Sequence, residues 1–212
     1  MATTLNAREI EISPMEGFPS DERGYEQGVS ACYAGCLGDI LIMAGGANFA
    51  NKPAAEGGKK CFYSGIYAAK ITASDDFSWK KIGELPMAMA YGATVTLNNK
   101  IILIGGACAQ GSLSAVFSLE LVNDRIVVEQ LPSLPVALDN LSATVYENKI
   151  YAAGGSSNGK EHNEVYVLDT KKENPQWERY KNNTNKSRRG KMINIISYPQ
   201  FNKKGGSKFN LV

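Results

Sequence analysis

AYGATVTLNNKIILIGGACAQ (residues 90–110) is the stretch on which the fold turns. Ala93–Leu97 alternates small and β-branched residues, Asn98-Asn99 is a polar pair, and Lys100–Ile104 is an apolar run stopped by Gly105-Gly106. Two short runs of this composition joined by Asn-Asn predict a β-hairpin. The glycine pair predicts a point where another backbone comes close and a Cβ would be in the way.

The same order of features recurs on either side. GVSACYAGCLGDILIMAGGANF closes its apolar run at Gly45-Gly46, and LSATVYENKIYAAGGSSNG closes its own at Gly154-Gly155, giving spacings of 60 and 49 residues. Beyond each pair come a variable loop, an alternating run such as Val165, Val167 and Asp169, and a closing run marked by Trp79, Ile126–Val128 or Trp177. Four strand-like runs per copy make one four-stranded antiparallel blade. A period near 50 residues is that of the kelch-type β-propeller, a ring of roughly 4 to 8 blades. A β-sandwich with turn glycines would not repeat the order of its motifs in this way. The expected fold is therefore all-β: a partial kelch propeller over residues 1–180, with blades at about 25–86, 87–135 and 136–180.

Both ends depart from the repeat. REIEISPMEGFPS is similar in layout to DRIVVEQLPSLP, so residues 8–13 predict an orphan outer strand whose blade lies elsewhere. After Tyr180 the repeat stops. Residues 181–212 hold eight of the 23 basic residues (Lys181, Lys186, Arg188, Arg189, Lys191, Lys203, Lys204 and Lys208) and none of the 21 acidic ones, which leaves residues 1–180 at a net charge of −6. A basic tail without aromatic interleaving or a folded reader motif does not predict a nucleic-acid site. The abrupt change of composition predicts a non-native extension, as an out-of-frame readthrough would produce.

Several function classes are weakly supported. No apolar run reaches 18 residues, and the start MATTLNAREIEISP lacks a basic region followed by an apolar one, so neither a membrane span nor a signal peptide is read; a cytoplasmic protein is expected, with a periplasmic location as the alternative. Cys32, Cys36, Cys61 and Cys108 form no CxxC pair and no metal-ligand spacing, which predicts reduced, packed thiols and no metal. His162, the single histidine, sits in a loop with no nucleophile beside it in sequence. No P-loop or dinucleotide fingerprint is present, so no cofactor is expected.

The segment GVSACYAGCLGDILIMAGGANFANKPAAEGGKKCFYSGIY, followed by AYGATVTLNNKIILIGG, resembles the bacterial sialic acid mutarotases, the N-acetylneuraminate epimerases, in their cyclically permuted branch. The resemblance covers roughly residues 25–180, and GGANF…AAEGGKK is its specific part. It implies a six-bladed ring, of which this chain holds about three blades. It also implies an isomerase that interconverts the α and β anomers of N-acetylneuraminate. That reaction needs a base for the anomeric hydroxyl, an acid for the ring oxygen and a cation for the carboxylate. The family's Glu and Arg lie in a GE…PG.R segment of a later blade, and no such segment occurs here.

Candidate sugar-binding residues come from the long insertion after Gly46, which supplies Glu56, Lys59 and Lys60, and from the resemblance, which supplies Asn48 in GGAN and Tyr91 in the YG pair. An amide, a phenol and a cation suit sugar hydroxyls and a carboxylate. The expected protein is a truncated member of this family, acting on a sialic-acid-like sugar when intact. A half-propeller that pairs with another copy through its exposed edge strands and a kelch interaction module without catalysis are the alternatives.

Overall fold

The computed structural model describes residues 17–71 and 78–180; the orphan strand expected at 8–13 and the basic segment 181–212 lie outside the described residues. Three four-stranded sheets follow one another along the chain, and every pairing is antiparallel between sequential strands. Blade 1 comprises Tyr33–Leu37, Ile40–Ala44, Gly65–Lys70 and Lys80–Glu84. Blade 2 comprises Ala93–Leu97, Lys100–Ile104, Val116–Val122 and Arg125–Leu131. Blade 3 comprises Ser142–Tyr146, Lys149–Ala153, Val165–Asp169 and Trp177–Arg179. This is the partial propeller that the repeat predicts.

The inner hairpins close as the polar pairs require. Asn98 and Asn99 have φ of 51° and 58°, and Glu147 and Asn148 have φ of 47° and 61°. Positive φ at both central residues is the type I′ turn, whose twist matches that of the flanking strands.

Each glycine pair ends the second strand of its blade at positive φ: 60° and 110° at Gly45-Gly46, 61° and 112° at Gly105-Gly106, 68° and 88° at Gly154-Gly155. At the first two pairs the crowding expected there exists, and the crowding group is the linker into the next blade. A Cβ on Gly45 would lie 2.3 Å from the Met89 carbonyl oxygen, and one on Gly105 would lie 2.4 Å from that of Leu138. In these two pairs the second glycine donates its N–H to that same carbonyl, Gly46 to Met89 at 3.0 Å and Gly106 to Leu138 at 2.7 Å. Beyond each pair a two-residue ribbon forms: Ala47–Asn48 with Cys61–Phe62, Ala107–Cys108 with Gly111–Ser112, Ser156–Ser157 with Lys160–Glu161. These ribbons gather at one end of the blades and carry the loops.

The cores lie between blades. Tyr33, Ile42, Ile66, Leu103 and Leu119 fill the space between blades 1 and 2. Val95, Ile104, Leu138, Ile150 and Trp177 fill that between blades 2 and 3. Each such buried aliphatic side chain contributes roughly 1.5–3 kcal/mol. A polar bond crosses the first joint as well, where the Tyr33 hydroxyl of blade 1 donates to the Gly105 carbonyl of blade 2 at 2.6 Å.

The other face of blade 1 is covered by a strap, residues 17–30. Phe18 stacks on Tyr25, and Tyr25 meets Tyr63 edge-on and Tyr67 at a tilt, with ring centroids 5.5, 5.0 and 4.9 Å apart. The Glu22 carboxylate accepts the Gly65 N–H at 2.7 Å and the Tyr67 hydroxyl at 3.1 Å. Burial pushes the phenols of Tyr25 and Tyr67 up, so both stay protonated as donors.

Candidate functional site

The ribbon of blade 1 ends in the insertion loop, and the ribbon brings the loop back beside the linker into blade 2. Lys60 immediately precedes the returning Cys61–Phe62 strand, and Tyr91 stands in the linker two residues before Ala93. These two candidates, 31 positions apart in sequence, meet: the Lys60 ammonium lies 4.4 Å from the centroid of the Tyr91 ring, and 5.6 Å from that of Phe49. Phe62 meets the same Tyr91 ring edge-on at 6.3 Å.

Tyr91 has φ of 64°, outside the usual region for a tyrosine. Ala31 and Asn140, which hold the same place in the other copies, have φ of 54° and 51°. The backbone geometry at Tyr91 therefore belongs to the repeat, and bonds hold it on both sides: the Tyr91 N–H donates to the Ala31 carbonyl at 2.9 Å, and the Asn140 N–H donates to the Tyr91 carbonyl at 2.7 Å.

The Tyr91 phenol is nonetheless unlike the buried tyrosines. Burial pushes it up, but hydrogen bonds from Lys60 and Ser30 together with the Lys60 charge more than offset this, and the pKa is lowered from its ordinary value. The Ser30 hydroxyl that reaches the phenol oxygen also donates to the Ala47 carbonyl 3.0 Å away. An acidified phenol beside an ammonium can exchange a proton with a sugar hydroxyl while the cation holds a carboxylate. A cavity of about 370 Å³ opens beside Lys60, lined by Lys60, Phe62, Met87, Cys108, Gln110 and Leu113; Tyr91 does not line it. Its walls thus come from the loops of blades 1 and 2 together.

The remaining candidates stand apart. Glu56 lies on a single 3₁₀ turn, Ala54–Glu56, and is exposed, as is Lys59. Neither side chain forms an ion pair with a described residue. The Asn48 amide is turned to the strap: its Nδ2 donates to the Gly24 and Gly28 carbonyls, each at 2.8 Å, and its Oδ1 accepts the Tyr63 hydroxyl at 2.8 Å. Asn48 pairs with Cys61 in the ribbon, so it ties the strap to the strand that carries Lys60.

Ser30 and a second polar cluster escape the reading of the sequence. Ser30, Ala90 and Asp139 occupy one position of the repeat, each bridging the residue after a glycine pair. Asp139 is almost fully buried, 9% exposed. Its carboxylate accepts from the Ser156 hydroxyl and the Asn140 amide, both at 2.7 Å, and from the Ser112 hydroxyl. This fully bonded carboxylate fastens the loops of blades 2 and 3. The lining up of the three copies holds the signal for it, since a polar residue occurs at that position in two of them. His162 is half-buried, with Nδ1 3.3 Å from Glu164, which Arg179 also approaches at 3.5 Å. The four cysteines are free, Cys36 exposed and the others half-buried. Among the described residues there is no cluster of three or more His, Cys, Asp or Glu able to hold a metal, and no helix long and apolar enough to cross a membrane.

The chain is similar to N-acetylneuraminate epimerases from several bacteria. It is 31% identical to that of Vibrio vulnificus (strain YJ016) over 106 residues, 48% of this chain and 28% of that protein. It is 35% identical to that of Escherichia coli (strain K12) over 107 residues, 49% of this chain and 29% of that protein. It is 34% identical to that of Brucella melitensis biotype 1 over 124 residues, 56% of this chain and 31% of that protein. The chain thus spans less than a third of the length of the curated relatives it matches. A kelch motif model matches residues 138–183, which hold blade 3. The model described as N-acetylneuraminate epimerase matches residues 1–128, more than half of the chain and both blades that form the Lys60–Tyr91 mouth, and the chain therefore belongs to the N-acetylneuraminate epimerase family.

Proposed function

We propose that the mouth between blades 1 and 2 binds a carboxylate-bearing sugar of the N-acetylneuraminate type and takes part in the interconversion of its anomers. The observation that carries this reading is the Lys60–Tyr91 contact, with Lys60 on the wall of the cavity between blades 1 and 2. Lys60 holds the sugar carboxylate. Tyr91, its acidity raised by Lys60, exchanges a proton with the anomeric hydroxyl or the ring oxygen; ring opening removes a proton from the first and delivers one to the second. Phe62 and Leu113 give the sugar ring an apolar wall. The exposed Glu56 and Lys59 extend the same loop toward solvent and supply further contacts to hydroxyls. Asn48 serves the site through the loop it anchors.

Anomer exchange of N-acetylneuraminate followed by NMR tests the reading. The wild-type chain is expected to bind the sugar and to exchange anomers faster than buffer. Lys60→Met removes one charge-assisted bond, worth about 1.5–3 kcal/mol, and weakens binding by roughly tenfold or more. Tyr91→Phe keeps the ring and its packing, so it lowers exchange more than binding. Buffer-level exchange together with absent sugar binding overturns the proposal.

A further inference from the structure

We infer that Asn140 is a further sugar-contacting residue, one step along the rim from Tyr91, and that the buried Asp139 is the positioning residue that aims it. This rests on the sugar-binding reading of the mouth and extends that site from blades 1 and 2 to the linker into blade 3.

The repeat itself builds the rim. Ala31, Tyr91 and Asn140 hold one place in three successive linkers, all at left-handed φ. The Tyr91 N–H donates to the Ala31 carbonyl at 2.9 Å, and the Asn140 N–H to the Tyr91 carbonyl at 2.7 Å. Tyr91 and Asn140, remote in sequence, are therefore direct neighbours on one edge. The residue before each of them bridges the ribbon of its own blade, Ala90 to Ala107 and Asp139 to Ser156. This edge thus lies at the ribbon end of the blades, the end that carries Lys60 and the cavity. Asn140 is exposed on it.

Asp139 does more than the joint requires. At the first joint the same place is Ala90, and the backbone bridge to the ribbon forms there with no side chain to assist it. A carboxylate is therefore not needed to close a joint. Taking one out of water is costly unless it is well bonded, yet Asp139 is only 9% exposed. Among the described residues no cation pairs with it. It is held by neutral donors: the hydroxyls of Ser112 and Ser156 and the Asn140 amide. An ionised carboxylate only accepts, so Asn140 must turn its Nδ2 toward Asp139, at 2.7 Å, and the flip of the amide is fixed. Among the described residues the second Nδ2 hydrogen and Oδ1 form no other bond. The aimed amide then offers one donor and one acceptor, the pair that sugar hydroxyls satisfy. Ser112 links this arrangement to the cavity, because its neighbour Leu113 stands in the cavity wall. In this site Lys60 takes the carboxylate, Tyr91 serves the anomeric centre, and Asn140 holds a hydroxyl further along the sugar.

Calorimetric titration of the full chain is the test, with N-acetylneuraminate and with its analogues that each carry hydrogen in place of one hydroxyl. Asn140→Gly removes the amide, and glycine takes the φ of 51° at that position without strain. The variant is expected to bind N-acetylneuraminate about three- to tenfold more weakly, the value of one neutral hydrogen bond. The loss is expected to vanish for the analogue that lacks the hydroxyl held by the amide, which wild type and variant bind alike. Asp139→Asn keeps the shape of the carboxylate and releases the amide, so it weakens N-acetylneuraminate with the same analogue unaffected. Adding Asn140→Gly to Asp139→Asn then costs less than Asn140→Gly costs the wild type. Unchanged binding of N-acetylneuraminate by Asn140→Gly, with Lys60→Met still weakening it, overturns this inference and leaves the sugar reading standing. An equal loss for every analogue also overturns it, because the amide would then only prop the mouth. Absence of binding by the wild-type chain overturns both.

Discussion

Lys60 and Tyr91 are each legible as candidates, but only as residue types in a loop and a linker. What the fold adds is an interaction that changes the chemistry of one of them. In Lys60→Met the Tyr91 phenol loses its donor and neighbouring charge and keeps its burial, so its titration moves upward. Ultraviolet titration of the tyrosines therefore shows a low phase in the wild type that is absent from both Lys60→Met and Tyr91→Phe. The sign for stability follows: a phenol whose folded pKa lies below its unfolded one stabilises the fold only at high pH, and that contribution fades as pH falls through the folded pKa. Glycine gives a second prediction at this scale. Gly38 and Gly45 have the same φ of 60°, yet a Cβ on Gly38 meets nothing within 4 Å, while one on Gly45 meets the Met89 carbonyl at 2.3 Å. Gly38→Ala costs about 1 kcal/mol for the left-handed conformation alone. Gly45→Ala costs at least twice that, because the next blade's linker must shift; chemical denaturation compares the two.

Strands and hairpins were the most legible elements, since alternation and the Asn-Asn or Glu-Asn pairs act within a few residues of themselves. The strap was not legible. GFPSDERGYEQG reads as a polar, turn-rich linker, and its two aromatic residues, Phe18 and Tyr25, become a cover for blade 1 only because Tyr63, Tyr67 and Met43 await them on that face. Asn48 is the element's main clasp. Asn48→Ala strands the Gly24 and Gly28 carbonyls and the Tyr63 hydroxyl, at a cost of about 1–3 kcal/mol. Limited proteolysis is expected to cut the variant first within residues 20–28 while blades 2 and 3 remain intact.

Stability of the whole molecule is shared between neighbours, as in other repeat architectures. The two larger cores each belong to two blades, so blade 2, flanked by a blade on both faces, is held most firmly. Hydrogen exchange is expected to be slowest in Lys100–Ile104 and Val116–Val122, the central strands of that blade, and faster in blade 3. Leu138→Ala, at a fully buried position of the second joint, costs about 2–5 kcal/mol and speeds exchange in blade 3 more than in blade 1. Equal exchange in all three blades would show that the joints do not set the cooperativity.

By itself the sequence determined the architecture: strands, turns and the glycine pair are local features, and writing them three times at a near-constant period leaves the propeller as the arrangement that buries every blade face. It also offered the insertion and, through the family resemblance, the YG pair as candidate places for a ligand. Tertiary structure alone decided which of those residues meet. It brought Lys60 to Tyr91, turned Asn48 inward to the strap, left Glu56 and Lys59 in solvent, and made a fastening of Asp139. The reason is one of distance along the chain. Strand and turn preferences act across two to four residues, whereas the bond from Tyr33 to Gly105 spans 72, and a pairing that remote is fixed only when the blades stack.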